Sequence, residues 1–276
     1  MSSVPRLELK SGDDMPQLGF GTWNLSEKVS KKMVKKALDY GYTHIDTAES
    51  YGNESGVGEA IGDYERSELF ITSKVSPSNL HYEDVLKCCE DSLDRLGTSY
   101  LDLYLVHWPN GAISIRETMW AMKELKDRGL VRNVGVSNFG INELKVAQAV
   151  ADFPITVNQV EFHPWLYKEN MLKFAEKNDI VITASAPLAR TEVFKDDVIQ
   201  ELAEKYDKSP AQIVLKWELE KDVVTIPKTS SEKHMRQNFE LFDWDLEPED
   251  IERIDDIERT ERVYELNFEA SWMSKI

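Results

Sequence analysis

From residue 28 onward the sequence keeps switching between two hydrophobic periods, and that alternation limits the fold more than any single motif does. Apolar residues three and four apart mark helical faces, the first from Val29, Met33, Val34, Ala37 and Leu38, the second from Val85, Cys88, Cys89, Leu93 and Leu96. Ile115, Met119, Met122 and Leu125 mark a third and Ile141, Leu144 and Ala147 a fourth, with further helices expected over 168–178, 196–206, 210–219 and 249–257. Between them lie short runs rich in β-branched residues: THID, FITSK, YLDLYLVH, VRNVGVSN, TVNQVEF, IVITASAP and VVTIPK. An eighth run is expected near Phe239 to Phe242. Strand–helix repetition means parallel strands joined by right-handed crossovers, and about eight units with no linker between them fit a closed barrel. One (β/α)8 barrel domain over 1–276 is therefore expected, a length such barrels commonly reach. The rival, an open doubly wound sheet, should begin with a strand, a GxGxxG turn and a helix; Gly56–Val57–Gly58 is only a fragment of that pattern. Leu7 to Phe20, around a turn at Ser11–Asp14, is expected to form an N-terminal β-hairpin capping the barrel bottom.

Charge removes several classes of function. Thirty-three Lys and Arg against 50 Asp and Glu give a net charge of −17, and no basic stripe is present to displace counterions from a phosphate backbone, so no nucleic-acid partner is expected. No run of about 18 apolar residues is found and MSSVPRLELK lacks an apolar segment, so neither a membrane span nor a secretory signal is expected and a cytoplasmic location follows. Cys88 and Cys89 are adjacent and read as reduced core residues. The five histidines show no HExxH or zinc spacing, so no metal is expected. Without an exposed apolar stripe or heptad, a monomer is expected.

In such a barrel, chemistry sits where strands end. Polar residues collect there: Asp46, Lys74, His107, Ser137 with Asn138, Gln159, Ser185 and Lys228. No GxSxG nucleophile, carboxylate cage or glycosidase pair accompanies them. Tyr51 lies five residues beyond Asp46, and a phenol with a reference pKa of about 10 is a useful acid only if something favours its anion. Lys74 is the cation that can do so, Asp46 can hold Lys74, and His107 can hydrogen-bond a substrate oxygen. The set suits protonation of an alkoxide that develops as hydride adds to a carbonyl carbon.

HIDTAESYGNE, ITSKV, LYLVHWP, GVSNF, NQVEFHP and IPKTSSEKHMRQNFE together resemble the aldo-keto reductases, over about Leu18 to Phe239. The resemblance implies a (β/α)8 barrel that reduces aldehydes and ketones with NADPH, or less often NADH. It makes Tyr51 the proton donor, Asp46 and Lys74 the groups that tune it, and His107 the group that orients the carbonyl. Ser137, Asn138 and Gln159 correspond to the nicotinamide carboxamide site, with Asp46, Ser185 and Leu188 also on the cofactor. Lys228, Thr229, His234 and Asn238 correspond to the cradle for the adenosine 2′-phosphate and adenine. Thr22 falls near the nicotinamide ribose, and Trp23 and Trp108 at the substrate pocket beside Tyr51 and His107. The C-terminal segment brings Phe268 or Trp272 into question as substrate contacts, whereas His163 reads as a structural loop histidine and Trp120, Trp165 and Trp217 as core or rim packing.

Two positions depart from the family pattern. Ser185 stands where a Tyr commonly stacks on the nicotinamide ring; either its hydroxyl hydrogen-bonds something there or another ring fills the space. His234 stands where an Arg commonly meets the 2′-phosphate, and an imidazole lacks the fixed charged fork of a guanidinium. Lys228, Lys233 and Arg236 keep that neighbourhood positive, which favours NADPH. Short mouth loops, such as Pro109–Ser114, imply an open pocket with a broad range of small carbonyl substrates. The alternative is a regulatory barrel that binds NADP(H) with little turnover.

Overall fold

The computed structural model describes residues 4–264. Ten strands and ten α-helices alternate along them. A two-stranded antiparallel hairpin, β1 (Arg6–Glu8) and β2 (Asp14–Pro16), comes first. The eight parallel strands are β3 (Phe20–Gly21), β4 (His44–Asp46), β5 (Phe70–Val75), β6 (Leu101–Val106), β7 (Val131–Ser137), β8 (Ile155–Glu161), β9 (Val181–Ser185) and β10 (Val224–Thr225), adjacent in chain order. The helices are α1 (Glu27–Tyr40), α2 (Glu54–Ile61), α3 (Tyr82–Leu96), α4 (Ile115–Asp127), α5 (Ile141–Val150), α6 (Glu169–Lys177), α7 (Asp197–Tyr206), α8 (Pro210–Leu219), α9 (Glu232–Gln237) and α10 (Pro248–Asp255). The sheet closes on itself where Leu18 bridges Thr225 in parallel: Gly19 N donates to Thr225 O at 2.9 Å and Thr225 N to Gln17 O at 2.9 Å. Closure removes both sheet edges.

The helical faces read from the sequence are the buried ones: Met33, Val34, Ala37 and Leu38 on α1, Val85, Cys89, Leu93 and Leu96 on α3, Met119, Met122 and Leu125 on α4. Cys88 is only half-buried, and Trp120 is 56% exposed rather than packed. Inside the barrel Phe70, Leu103, Leu105, Val157, Val224 and Ile226 meet Leu9 and Met15 of the hairpin, which thereby plugs the bottom. The turn between β1 and β2 is possible because Gly12 takes φ +90°.

The eighth strand is not at Phe239–Phe242, and it comes first rather than last. Phe20–Gly21 fills that place, which makes Asp46 the end of the second barrel strand and limits the hairpin to residues 6–16. Two residues between glycines show no alternation to read. The glycines are there for space: a Cβ on Gly19 would stand 2.5 Å from His44 Nδ1, and one on Gly21 2.7 Å from Ile226 O. Phe239 instead packs in a turn after α9, its ring 4.9 Å from that of Tyr42 and 5.3 Å from that of Tyr40.

Candidate active site

Asp46 ends β4 with its register partners Gly21 and Thr72 on either side, which sets it at the C-terminal mouth. Its backbone oxygen accepts from Thr22 N and from Thr22 Oγ1, both at 3.0 Å. Its carboxylate is used on both sides: Oδ1 accepts from Lys74 Nζ at 2.5 Å and Oδ2 from Gln159 Nε2 at 2.8 Å. Lys74 is fully buried on β5, and its ammonium also donates to Thr47 O at 2.8 Å and to the Tyr51 hydroxyl at 3.5 Å, so all three donors are engaged. Burial pulls the Lys74 pKa below its ordinary 10.5, and Asp46 opposes that pull. A buried ion pair survives only when its remaining hydrogen bonds are met, as they are here. Behind it, buried Glu54 accepts from Ser73 Oγ at 2.6 Å, Ser92 Oγ at 3.2 Å and Arg95 Nε at 2.8 Å, and its charge also supports the Lys74 cation.

Tyr51 ends a single 3-10 turn, Glu49–Tyr51, that stops at Gly52 with φ +63°. Glu49 fixes this turn by accepting from Ser76 N at 2.6 Å and Asn79 Nδ2 at 3.0 Å. Asn53, buried beneath it, donates to Thr22 O and Leu25 O at 2.9 Å each. Desolvation first, then the Asp46 charge and Tyr264, hold the Tyr51 phenol well above 10. Tyr51 is therefore a protonated acid at neutral pH. Because Lys74 donates to its oxygen, the phenol proton is free to point into the mouth. The Tyr51 ring meets His107 edge-on, centroids 5.6 Å apart. Burial, with Lys74 adding to it, pushes the His107 imidazole down to about 3, so the ring is neutral in ordinary buffers. His107 Nδ1 lies 3.3 Å from Ser50 Oγ. A neutral ring whose Nδ1 accepts from that hydroxyl carries its proton on Nε2.

Asn138, held at φ +63°, donates from Nδ2 to His107 O at 2.9 Å and to Ser137 Oγ at 3.0 Å, while Ser137 Oγ donates to Gln159 O at 2.8 Å. One continuous hydrogen-bonded path thus links β7, β8, β4 and β5 to the Tyr51 phenol. Trp108 stands beside a cavity of about 920 Å³ whose walls include Asn138, Glu161, Tyr167, Met171 and Tyr264. Trp23 is half-exposed, with the Arg190 guanidinium 5.3 Å over its ring. Arg190 comes from a turn after β9 that includes Leu188 and in which Ala186, Ala189, Arg190 and Thr191 all have positive φ, a strained run for side chains with a Cβ.

The other expected binding residues lie apart from this network. Lys228 is half-buried past β10, its Cβ beside Gly21; Thr229 Oγ1 accepts from Ser231 N at 3.0 Å; His234 is exposed on α9; and Asn238 is buried at its end. Arg236 does not add free positive charge there, because it donates to Glu232 at 2.8 Å. Three participants escaped the sequence reading. Tyr264, Glu161 and Arg190 all reach the mouth, and only Glu161 carried a signal: two residues past Gln159 on one strand, it shares the same face. His163 is fully buried with Nε2 3.0 Å from Glu161. Phe268 and Trp272 lie outside the described residues. Among the described residues, no cluster of three metal-binding side chains forms and no helix is long and apolar enough to cross a membrane.

A closed barrel whose mouth joins a buried Asp–Lys pair, a protonated phenol and a neutral imidazole has the layout of an enzyme that hands a proton to an oxygen. The model of the Aldo/keto reductase family matches residues 17–259. The chain is 40% identical to the glyoxal reductase of Bacillus subtilis over 93% of its own length and 94% of that protein's, and 38% identical to the methylglyoxal reductase of Yersinia pestis over 91% and 92%. The solved structure of an aldo/keto reductase from Brucella melitensis superposes with a TM-score of 0.88 at 39% identity, covering 92% of this chain and 99% of that one. An aldo-keto reductase from a Medee basin deep-sea metagenome library gives 0.91 at 35% identity, covering 95% and 97%. The chain belongs to the aldo/keto reductase family and is an oxidoreductase.

Proposed function

We propose that the protein reduces small aldehydes and ketones with NADPH, and that Tyr51 donates the proton. The observation that carries this reading is the Tyr51 hydroxyl, kept protonated by its surroundings yet 3.5 Å from the Lys74 ammonium that Asp46 holds. The residues present fit a nicotinamide dinucleotide: Ser137, Asn138 and Gln159 offer amide and hydroxyl groups beside Asp46, and Ser185 adds a buried hydroxyl. Thr22 and Leu188 flank that end, and Lys228, Thr229, His234 and Asn238 would hold the adenosine end. When bound, the dinucleotide supplies the hydride.

The side chains do the rest. Neutral His107 donates to the carbonyl oxygen and aims it at Tyr51. Tyr51 passes its proton to that oxygen as charge develops, and Lys74 meets the phenolate that remains, so the charge never stands alone in a buried site. Trp23 and Trp108 wall the substrate side. The relatives' names, glyoxal reductase and methylglyoxal reductase, point to short oxoaldehydes as substrates. Lys228 carries the preference for NADPH, since Arg236 is already paired and His234 lacks a guanidinium's fork.

The test is oxidation of NADPH and NADH with a panel of short aldehydes, native chain against Tyr51→Phe. Losing only the hydroxyl should lower kcat by about 10²- to 10⁴-fold, with cofactor binding, read by its fluorescence, unchanged. A Tyr51→Phe enzyme with native turnover would sink the assignment of the acid. A native chain that binds both cofactors but oxidises neither would favour the regulatory barrel instead.

A further inference from the structure

Ser185 ends β9 opposite Glu161 in the neighbouring strand, its hydroxyl buried. The phenol that reaches it comes from the far end of the described chain. Burial pushes Tyr264 up to about 12, with the Ser185 hydroxyl opposing and the Glu161 and Asp46 charges adding to the rise. Tyr264 in turn helps raise the Tyr51 phenol, and it lines the cavity beside Trp108 together with Asn138 and Glu161. On its other side the Tyr264 ring meets Trp108 edge-on at 6.1 Å.

Tyr264 is placed by a strap laid along residues 161–165. The Arg259 guanidinium lies 3.5 Å over the Trp165 ring, and Glu261 N donates to Trp165 O at 2.8 Å. Val263 N and Tyr264 N then donate to the two oxygens of Glu161, at 2.6 and 3.4 Å. His163 backs the carboxylate from below, and together these bonds hold the Glu161 pKa below its ordinary value although burial works the other way. A buried carboxylate with this many partners is a fixed anchor, so the strap delivers Tyr264 to one place rather than leaving it to sample the surface.

We propose that Tyr264 is the aromatic face against which the nicotinamide ring packs, filling the space that the small Ser185 leaves at the end of β9, and that Glu161 is the positioning residue that holds it there. The inference rests on the reading of the protein as a nicotinamide-dependent reductase. The proton donor and the hydride-bearing ring must serve the same carbonyl, so the residues that would hold the ring have to stand near Tyr51. Tyr264 walls the cavity that Trp108, Asn138 and Glu161 also line, and its backbone is tied to Glu161, the register neighbour of Ser185.

NADPH binding, followed by the fluorescence of the reduced cofactor without any substrate, tests this in four variants whose thermal melts are matched to the native chain. Stacking of a ring on a base spans about five- to hundredfold in affinity, and Tyr264→Ala should weaken NADPH within that range while Tyr264→Phe stays within about twofold. Ser185→Tyr combined with Tyr264→Ala should recover most of the loss, because the ring is then supplied from the strand. Glu161→Gln should weaken binding when Tyr264 is present and add nothing in the Tyr264→Ala background, the non-additivity expected of a residue that acts through another. If Tyr264→Ala does not fold, Tyr264→Leu removes the aromatic face while keeping apolar volume, and is read in its place. Native affinity in the Tyr264→Ala chain, or a double variant no tighter than the single, overturns the proposal. Tighter binding in Tyr264→Ala overturns it too, since the ring would then be standing in the cofactor's place. A native chain that binds neither NADPH nor NADH overturns the reductase reading and this inference together; a native chain that binds NADPH beside an indifferent Tyr264→Ala overturns this inference alone.

Discussion

On the β4–β5 side of the barrel, Asp46, Lys74 and Glu54 are buried and each is bonded to several partners. Across the barrel, on β9, β10 and α8, Thr183 Oγ1 is buried with no hydrogen-bond partner, and the buried carboxyl of Glu218 has no cation near it, only the Thr225 hydroxyl. The difference lies in what each polar group can tolerate. An unmet hydroxyl costs about 1–3 kcal/mol and a fold can carry a few. An unmet ion cannot be carried, so Glu218 stays a neutral acid, its pKa pushed well above 4.5 by burial. The side that handles protons has its charges fixed in advance by partners; the opposite side keeps its buried carboxyl by leaving it neutral.

The largest effect comes from taking one partner away on the paired side. Lys74→Met leaves Asp46 charged, buried and bonded through its side chain only to Gln159, and should destabilise the chain by about 3–5 kcal/mol, read by urea unfolding, while kcat falls at least about 10²-fold. A loss of under about 1 kcal/mol would mean that the two arcs do not differ as described. On the unpaired side the expected effect depends on pH. Below pH 4.5 the Glu218 carboxyl is protonated in folded and unfolded chains alike; above it only the unfolded chain ionises, so stability declines as pH rises until the folded group ionises as well. Glu218→Gln should flatten a slope of up to about 1.4 kcal/mol per pH unit between pH 5 and 7, and an unchanged slope would show that Glu218 is ionised in the fold. The smallest effect is in binding: Lys228→Ala should raise KM for NADPH roughly tenfold, as expected on losing one charge-assisted contact, and leave KM for NADH unmoved. Equal changes for both cofactors would show that Lys228 does not meet the 2′-phosphate.

The sequence made the β4 to β9 strand ends readable because each closes a β-branched run with a polar residue that has no reason to be buried except to face the mouth. Asp46, Lys74, His107, Ser137 and Gln159 are all of this kind. Phe20–Gly21 was not readable as a strand, since two residues carry no period and its flanking glycines look like a loop; they are small because His44 and Ile226 crowd them. Aromatic content drew attention to Phe239–Phe242, where packing on Tyr40 and Tyr42 is the actual use. Arg236 counted as a free cation until the structure paired it with Glu232, a partner one helical turn away. Tyr264 was hidden for a different reason. Its role depends on backbone bonds to Glu161 and on a serine at position 185, and neither is a pattern local to its own segment.

The seam between Leu18 and Thr225 also sets a timetable for synthesis. A ribosome adds roughly 5–20 residues per second, so roughly ten to forty seconds pass between the emergence of one side of the seam and the other. Throughout that interval β3 has β4 on one flank and nothing on the other. The glycines on either side of Phe20 leave this first strand almost no side-chain surface with which to recruit a wrong neighbour while it waits, so the residues that make room for His44 and Ile226 in the finished barrel also keep its earliest strand quiet during assembly.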